Sequence, residues 1–234
     1  IEIINGGVMG YNSKLVLSRM QETLPFNPDL YIIYIGWNDL YGANLYSYSK
    51  PKLPSEWVKW LHKSYLYQML RQFIFTEILP KLPHLNWSKN RGDQEIAEFR
   101  KLVPLEYRDN LQDMIQIARL NQSRIIFVTL GTFMSAEMTD TAGKMIIFPW
   151  WENNLEKLLI LHRIYNETLK SVTAQDSIPV FDFQAKLDIL GIEKEKLFFD
   201  PMHLYCDGYK FFGGNLADFI ISQKLLPEIS GDAN

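Results

Sequence analysis

Short, almost continuously apolar runs alternate with amphipathic helical patterns along this chain. That alternation predicts an α/β protein, a parallel sheet covered by helices on both faces in a three-layer α/β/α sandwich. The chain has 234 residues, 47% hydrophobic and 22% charged. This is the composition of a globular domain, not of a disordered chain. The segments richest in Gly, Asn, Asp and His follow apolar runs or precede the last helix, and α/β sheets place their ligands beyond the carboxyl ends of their strands.

The elements follow in order. Ile1–Asn5 is an apolar run that reads as a strand. Asn12–Leu24 carries Val16, Met20 and Leu24 at a spacing of four and has Asn12 or Ser13 as N-cap, so it reads as a helix. Tyr31–Gly36 reads as the next strand. Leu105–Asn121 places Leu111, Met114, Ile115 and Ala118 on one helical stripe. Arg124–Leu130 is a third strand. Trp151–Val172 aligns Leu155, Leu158, Leu159, His162, Tyr165 and Leu169, and there His162 reads as a core histidine. Pro179–Phe183 is a fourth strand. Gly208–Gln223 aligns Tyr209, Phe212, Leu216, Phe219 and Ile220 as the final helix. Residues 41–104 interrupt the alternation. Their prolines, three tryptophans (Trp57, Trp60, Trp87) and a helical run near Ser64–Leu79 predict a helical insertion within a single domain spanning residues 1–234. Its aromatic residues, with the block Ile146–Trp151, form either a satellite core or a lid or apolar acyl-binding surface.

Charge and cysteine usage narrow the partners. Lys plus Arg is 24 and Asp plus Glu is 27, a formal charge of −3. Such a chain has no basic footprint for nucleic acid. The one cysteine, Cys206, permits no internal disulfide and reads as a buried, inert thiol. No apolar run reaches the length of about 18 residues that a membrane-spanning helix needs. His62 and His84 stand in the insertion without paired ligands, so no metal site is expected, and no cofactor is implied.

Three segments carry chemistry. Asn5–Ser13 (NGGVMGYNS) joins the first apolar run to the first helix, and glycines there let the backbone approach a ligand. It has neither the lysine of a P-loop nor the G-x-G-x-x-G spacing of a dinucleotide fold. Gly36-Trp37-Asn38-Asp39 ends the strand Tyr31–Gly36. The Asn38 carboxamide there is either a donor for a developing oxyanion or an ordinary turn residue followed by an Asp cap. Asp200-Pro201-Met202-His203 precedes the final helix. A carboxylate three residues before a histidine reaches back within one turn to accept the Nδ1 proton, leaving Nε2 as a general base.

Taken together and in this order, the three segments resemble the SGNH, or GDSL-type, hydrolase superfamily. The resemblance implies a flavodoxin-like sheet and an esterase or lipase-like activity. It implies Gly10 and Asn38 as the oxyanion hole, and Asp200 and His203 as orienter and base. Tyr11, Trp37 and Asp39 would line the pocket, and a small-molecule, lipid or carbohydrate ester would be the substrate. An O-acyltransferase of the same fold acting on a carbohydrate, or a non-catalytic binding domain, are the alternatives.

One block of that family is missing. No Gly-Asp-Ser, the segment that carries the nucleophile, occurs in the sequence. Ser13 matches a helix-capping position and Ser135 a substrate loop, and neither stands on a strand-to-helix elbow. In the family's strand order the block belongs to a central first strand between Ile1–Asn5 and Tyr31–Gly36. Without it, buried backbone groups would each cost about 1–3 kcal/mol. The sequence-based expectation is therefore a domain lacking an N-terminal segment of roughly 40–100 residues and inactive by itself.

Overall fold

The computed structural model describes residues 2–42, 96–97, 99–149 and 152–226. Residues 43–95, most of the expected insertion, lie outside the described residues. Among the described residues three parallel strands form the sheet: β1 (Leu30–Ile33), β2 (Arg124–Val128) and β3 (Val180–Phe181), in the order β1-β2-β3. Register pairs Leu30 with Arg124 and Ile33 with Phe127, and then Phe127 with Val180 and Val128 with Phe181.

Seven α-helices occur among the described residues. They are α1 (Ser13–Thr23), α2 (Trp37–Gly42), α3 (Leu105–Leu120), α4 (Asp140–Gly143), α5 (Leu155–Gln175), α6 (Phe183–Asp188) and α7 (Cys206–Ser222). Helix α1 starts where the Asn12 side chain accepts from the Leu15 N–H at 3.1 Å. Helix α5 starts later than the periodicity alone predicts. Its cap is Asn154, whose side chain accepts from the Lys157 N–H at 3.1 Å, and a capping side chain decides the start better than an apolar stripe does.

Helix α3 packs on α1 and α5 and forms one outer layer with them. Its predicted stripe of Leu111, Met114, Ile115 and Ala118 is fully buried. Each of the larger three contributes roughly 1.5–3 kcal/mol by leaving water. Helix α7 forms the other layer: Phe212 and Phe219 lie 6.0 and 5.5 Å from the Phe181 ring. The structure departs from the sequence reading at Tyr209, which is exposed on the outer side of α7's first turn. There Gly208 is the buried residue.

The apolar run Ile1–Asn5 is not a strand over its described residues 2–5, and Ile3 is 87% exposed. A strand exists by pairing, and an apolar run with no neighbouring ladder stays extended but unpaired. Among the described residues nothing pairs with the outer edge of β1, where Ile32 is 46% exposed. The parallel α/β architecture is otherwise the expected one.

Candidate active site

The loop before α1 and the turn after β1 meet through side chains. Gly10 has φ +83° and Gly36 has φ +128°, conformations that a residue with a Cβ rarely takes. Gly36 is also wedged between the Leu130 side chain and the Tyr107 hydroxyl, each 3.2 Å from where a Cβ would stand. The chain therefore turns sharply out of the sheet at Gly36 and enters α2 with Asn38 exposed on its first turn. The Asn38 Nδ2 donates to the Tyr11 carbonyl at 2.8 Å. This bond uses one of the two amide protons and fixes the plane of the carboxamide beside the Gly10–Tyr11 backbone, with the second proton left to donate.

Asp39 is turned the other way. Its carboxylate accepts from the Ser13 N–H at 2.8 Å and from the Ser13 hydroxyl, and Asn110 Nδ2 of α3 donates to that hydroxyl at 2.8 Å. Burial pushes the Asp39 carboxyl above the usual carboxylate range, against the opposing pull of the bonds from Ser13. Asp39 and Ser13 thus clasp the start of α1 to the start of α2. Ser13 is fully buried and, as a clasp, holds no exposed nucleophilic hydroxyl. Trp37 is buried as well, stacked on the His162 ring at 5.4 Å and edge-on to the Tyr41 ring at 5.9 Å. Tyr11 is partly exposed.

His162 is the core histidine that its stripe predicts. It is buried, and its Nε2 lies 2.7 Å from the Leu130 carbonyl, so Nε2 carries the proton and donates. Burial lowers it to about 4, against the raising effect of the Leu130 bond. Asn166 holds both backbone polar groups of the same residue. Its Oδ1 accepts from the Leu130 N–H at 2.7 Å, and its Nδ2 donates to the Leu130 carbonyl at 3.0 Å. These two side chains of α5 finish the backbone bonding just beyond the end of β2.

The second half of the site is a tight hairpin. Phe198 and Leu204 form an antiparallel bridge, closed by the Phe199 N–H donating to the His203 carbonyl at 2.9 Å and the Tyr205 N–H to the Leu197 carbonyl at 2.8 Å. At its tip Asp200 is 5% exposed. Oδ1 of Asp200 accepts from the Met202 and His203 N–H groups at 2.9 and 2.8 Å, and Oδ2 is 2.7 Å from His203 Nδ1. Pro201 has no N–H to compete, so the turn orients both carboxylate oxygens. The His203 side chain is 56% exposed. Its Nδ1 faces a carboxylate, which sets the tautomer and leaves Nε2 as a proton acceptor. Among the described residues no serine hydroxyl is hydrogen-bonded to His203.

Tyr41 lies one turn after Asn38 on α2, its hydroxyl donates to the Ile147 carbonyl at 2.7 Å, and burial first, with the Asp200 charge second, raises its pKa. Tyr41, Asn110, Thr132 and Gln184 carry no local signal in the sequence, because their contacts come from distant segments. Cys206 is exposed, where the sequence reads it as buried; it opens α7 on the solvent side of a turn whose packed residue is Gly208. His62 and His84 lie outside the described residues.

Crystal structures of other proteins share this fold. A putative GDSL-like lipase from Parabacteroides merdae superposes with a TM-score of 0.52 at 13% identity, over 93% of this chain and 70% of that one. An acetyl xylan esterase gives 0.50 at 14% identity, over 91% and 77%. An α/β hydrolase enzyme from the metagenome of Lake Arreo, Spain, gives 0.50 at 13% identity, over 94% and 71%. No curated protein matches the sequence. The model of the GDSL-like Lipase/Acylhydrolase family matches residues 1–211, a span that holds the Gly10 loop, the Asn38 turn and the Asp200–His203 hairpin, so the chain belongs to that family of hydrolases.

Proposed function

We propose that this chain forms the base and the oxyanion hole of a serine ester hydrolase whose nucleophilic serine lies in a segment outside it. The observation that carries the reading is the 2.7 Å contact between Asp200 Oδ2 and His203 Nδ1, made by a buried carboxylate to an exposed imidazole. In the first half-reaction His203 Nε2 takes the proton of the serine hydroxyl as Oγ attacks the ester carbonyl. Asp200 stabilises the imidazolium that forms. The tetrahedral oxyanion is held by the Gly10 N–H and by the Asn38 Nδ2 proton not used on Tyr11, each donor contributing roughly 3–4 kcal/mol in other hydrolases. The imidazolium then protonates the departing alcohol. Water, deprotonated by the same histidine, releases the acid in the second half-reaction.

The substrate is a small-molecule, lipid or carbohydrate ester, and the domain is a single unit with its insertion at residues 41–104. Within this reading the described chain has no turnover. The missing Gly-Asp-Ser and the edge of β1, which pairs with nothing among the described residues, support the same division of labour.

The test is ester turnover by two preparations, this chain and a longer polypeptide that joins it to its Gly-Asp-Ser segment. The longer one is expected to release free acid from a p-nitrophenyl acyl ester, and this chain is expected to be inert. Transfer of the acyl group to an added sugar in preference to water would replace hydrolysis by acyl transfer. Turnover by this chain, abolished in His203→Ala, would place the nucleophile inside it.

A further inference from the structure

We infer that Thr132 is a positioning residue that aims the Asp200–His203 pair from the end of β2, an inference that rests on reading that pair as orienter and base. Thr132 is 1% exposed and lies beyond the end of β2. Its hydroxyl donates to the Pro201 carbonyl at 2.7 Å, inside the turn that presents Asp200 and His203. The same oxygen accepts from the Met134 N–H at 3.1 Å, so the hydroxyl proton has one available direction, toward Pro201. The Thr132 N–H donates to Gln184 Oε1 at 2.8 Å, and Gln184 is held in turn. Its Nε2 donates to Asp188 at 2.7 Å, and the largely buried Lys194 ammonium donates to the same carboxylate oxygen at 2.8 Å.

A continuous chain of bonds thus runs from Lys194 through Asp188, Gln184 and Thr132 to Pro201. Pro201 is itself buried. Its carbonyl belongs to the peptide whose N–H side is Met202, one of the two groups that hold Asp200 Oδ1. Rotation of that peptide turns the Met202 N–H away from Asp200 and frees the carboxylate to swing off Nδ1. Thr132 prevents the rotation. The hairpin's own bonds, from Phe199 and Tyr205, lie on its two arms, and among the described residues the Thr132 hydroxyl is the hydrogen-bond partner that the tip peptide has from outside the hairpin.

The experiment uses the whole chain, labelled with ¹⁵N, in alkaline buffer where imidazoles are neutral. Long-range ¹H–¹⁵N spectra read the tautomer of each histidine, and His203→Gln identifies the His203 signals. The unmodified chain is expected to show His203 with its proton on Nδ1 and slow exchange of that proton. Thr132→Val is expected to give mixed tautomers and exchange about tenfold faster, the loss of one ordinary hydrogen bond. Thr132→Ser, which keeps the hydroxyl, restores the original signal. Thr173→Val removes another buried hydroxyl, one that donates to Leu169 within α5, and leaves His203 unchanged. Should Thr132→Val fail to fold, Gln184→Met, which loosens Thr132 through its N–H, is expected to show the same change in smaller degree. An unaltered His203 tautomer and exchange rate in whichever of these variants folds overturns the inference. An unmodified chain whose His203 is not protonated on Nδ1 overturns the underlying pairing instead, so the two failures are distinct.

Discussion

Asp200→Asn, made in the polypeptide that unites this chain with its nucleophile, is expected to lower kcat by about 10⁴-fold while leaving the fold intact. The reason lies in how the carboxylate is held. Oδ1 accepts from two backbone N–H groups, Met202 and His203. An asparagine keeps its oxygen on those two donors, so its NH₂ must face the imidazole. The amide then donates to Nδ1, where the carboxylate accepted from it. Nδ1 loses its proton, Nε2 gains one, and the atom facing the nucleophile can no longer act as a base. KM is expected to change little, because neither atom binds substrate. Full kcat in Asp200→Asn would show that His203 does not depend on Asp200 for its tautomer.

Acid is expected to destabilise the fold by about 3 kcal/mol through His162 alone, given a folded-state value of about 4 against an ordinary 6.5 and 1.36 kcal/mol per unit. The unfolded chain binds the proton first as pH falls. The contribution of neutral His162 is therefore complete above about pH 6.5, drains away between 6.5 and 4, and is exhausted below that. Two other groups act with different signs or in another window. Asp39, raised by burial, takes its proton more readily in the folded state and so offsets part of the loss. In Asp182, burial pushes upward but is outweighed by bonds from Lys170, Ala185 and Thr129. The net lowering from 3.8 places its contribution at more acid pH. Urea unfolding across this range, compared between the chain and His162→Gln, isolates the histidine. The difference in stability between the two is expected to shrink as pH falls from 6.5 to 4. A difference that stays constant would mean that His162 is already protonated or solvated in the fold.

What the sequence reveals and what it hides divide by distance along the chain. Asp200 and His203 are three residues apart, so a single turn is enough to predict their contact. Asn38 is visible because Gly36 forces the backbone to turn just before it at the end of a strand. The helix stripe on α3 is visible because its periodicity is a property of one segment. The partners that hold these groups are not visible in that way. Asp39 reaches Ser13 across 26 positions, Thr132 reaches Pro201 across 69, and Asn110 reaches Ser13 across 97. Asp39 reads as a pocket residue in sequence because Asn38 beside it is one, yet successive positions on α2 point in different directions and its carboxylate faces α1. The run Ile1–Asn5 has the composition of a strand, but pairing is a property of two segments and no described segment pairs with it. Cys206 and Tyr209 read as buried in the sequence and are exposed in the fold, because the first turn of α7 packs through Gly208, a residue that contributes nothing to an apolar stripe.

The central claim is that His203, Asp200, Asn38 and Gly10 serve a serine that this chain does not contain. Covalent labelling by a fluorophosphonate, which reacts with serines activated by a neighbouring base, tests it most directly. The account predicts no labelled serine in this chain and one labelled serine, within Gly-Asp-Ser, in the longer polypeptide, with labelling lost in His203→Ala. A labelled serine mapped by mass spectrometry to any position between residues 1 and 234 would contradict it.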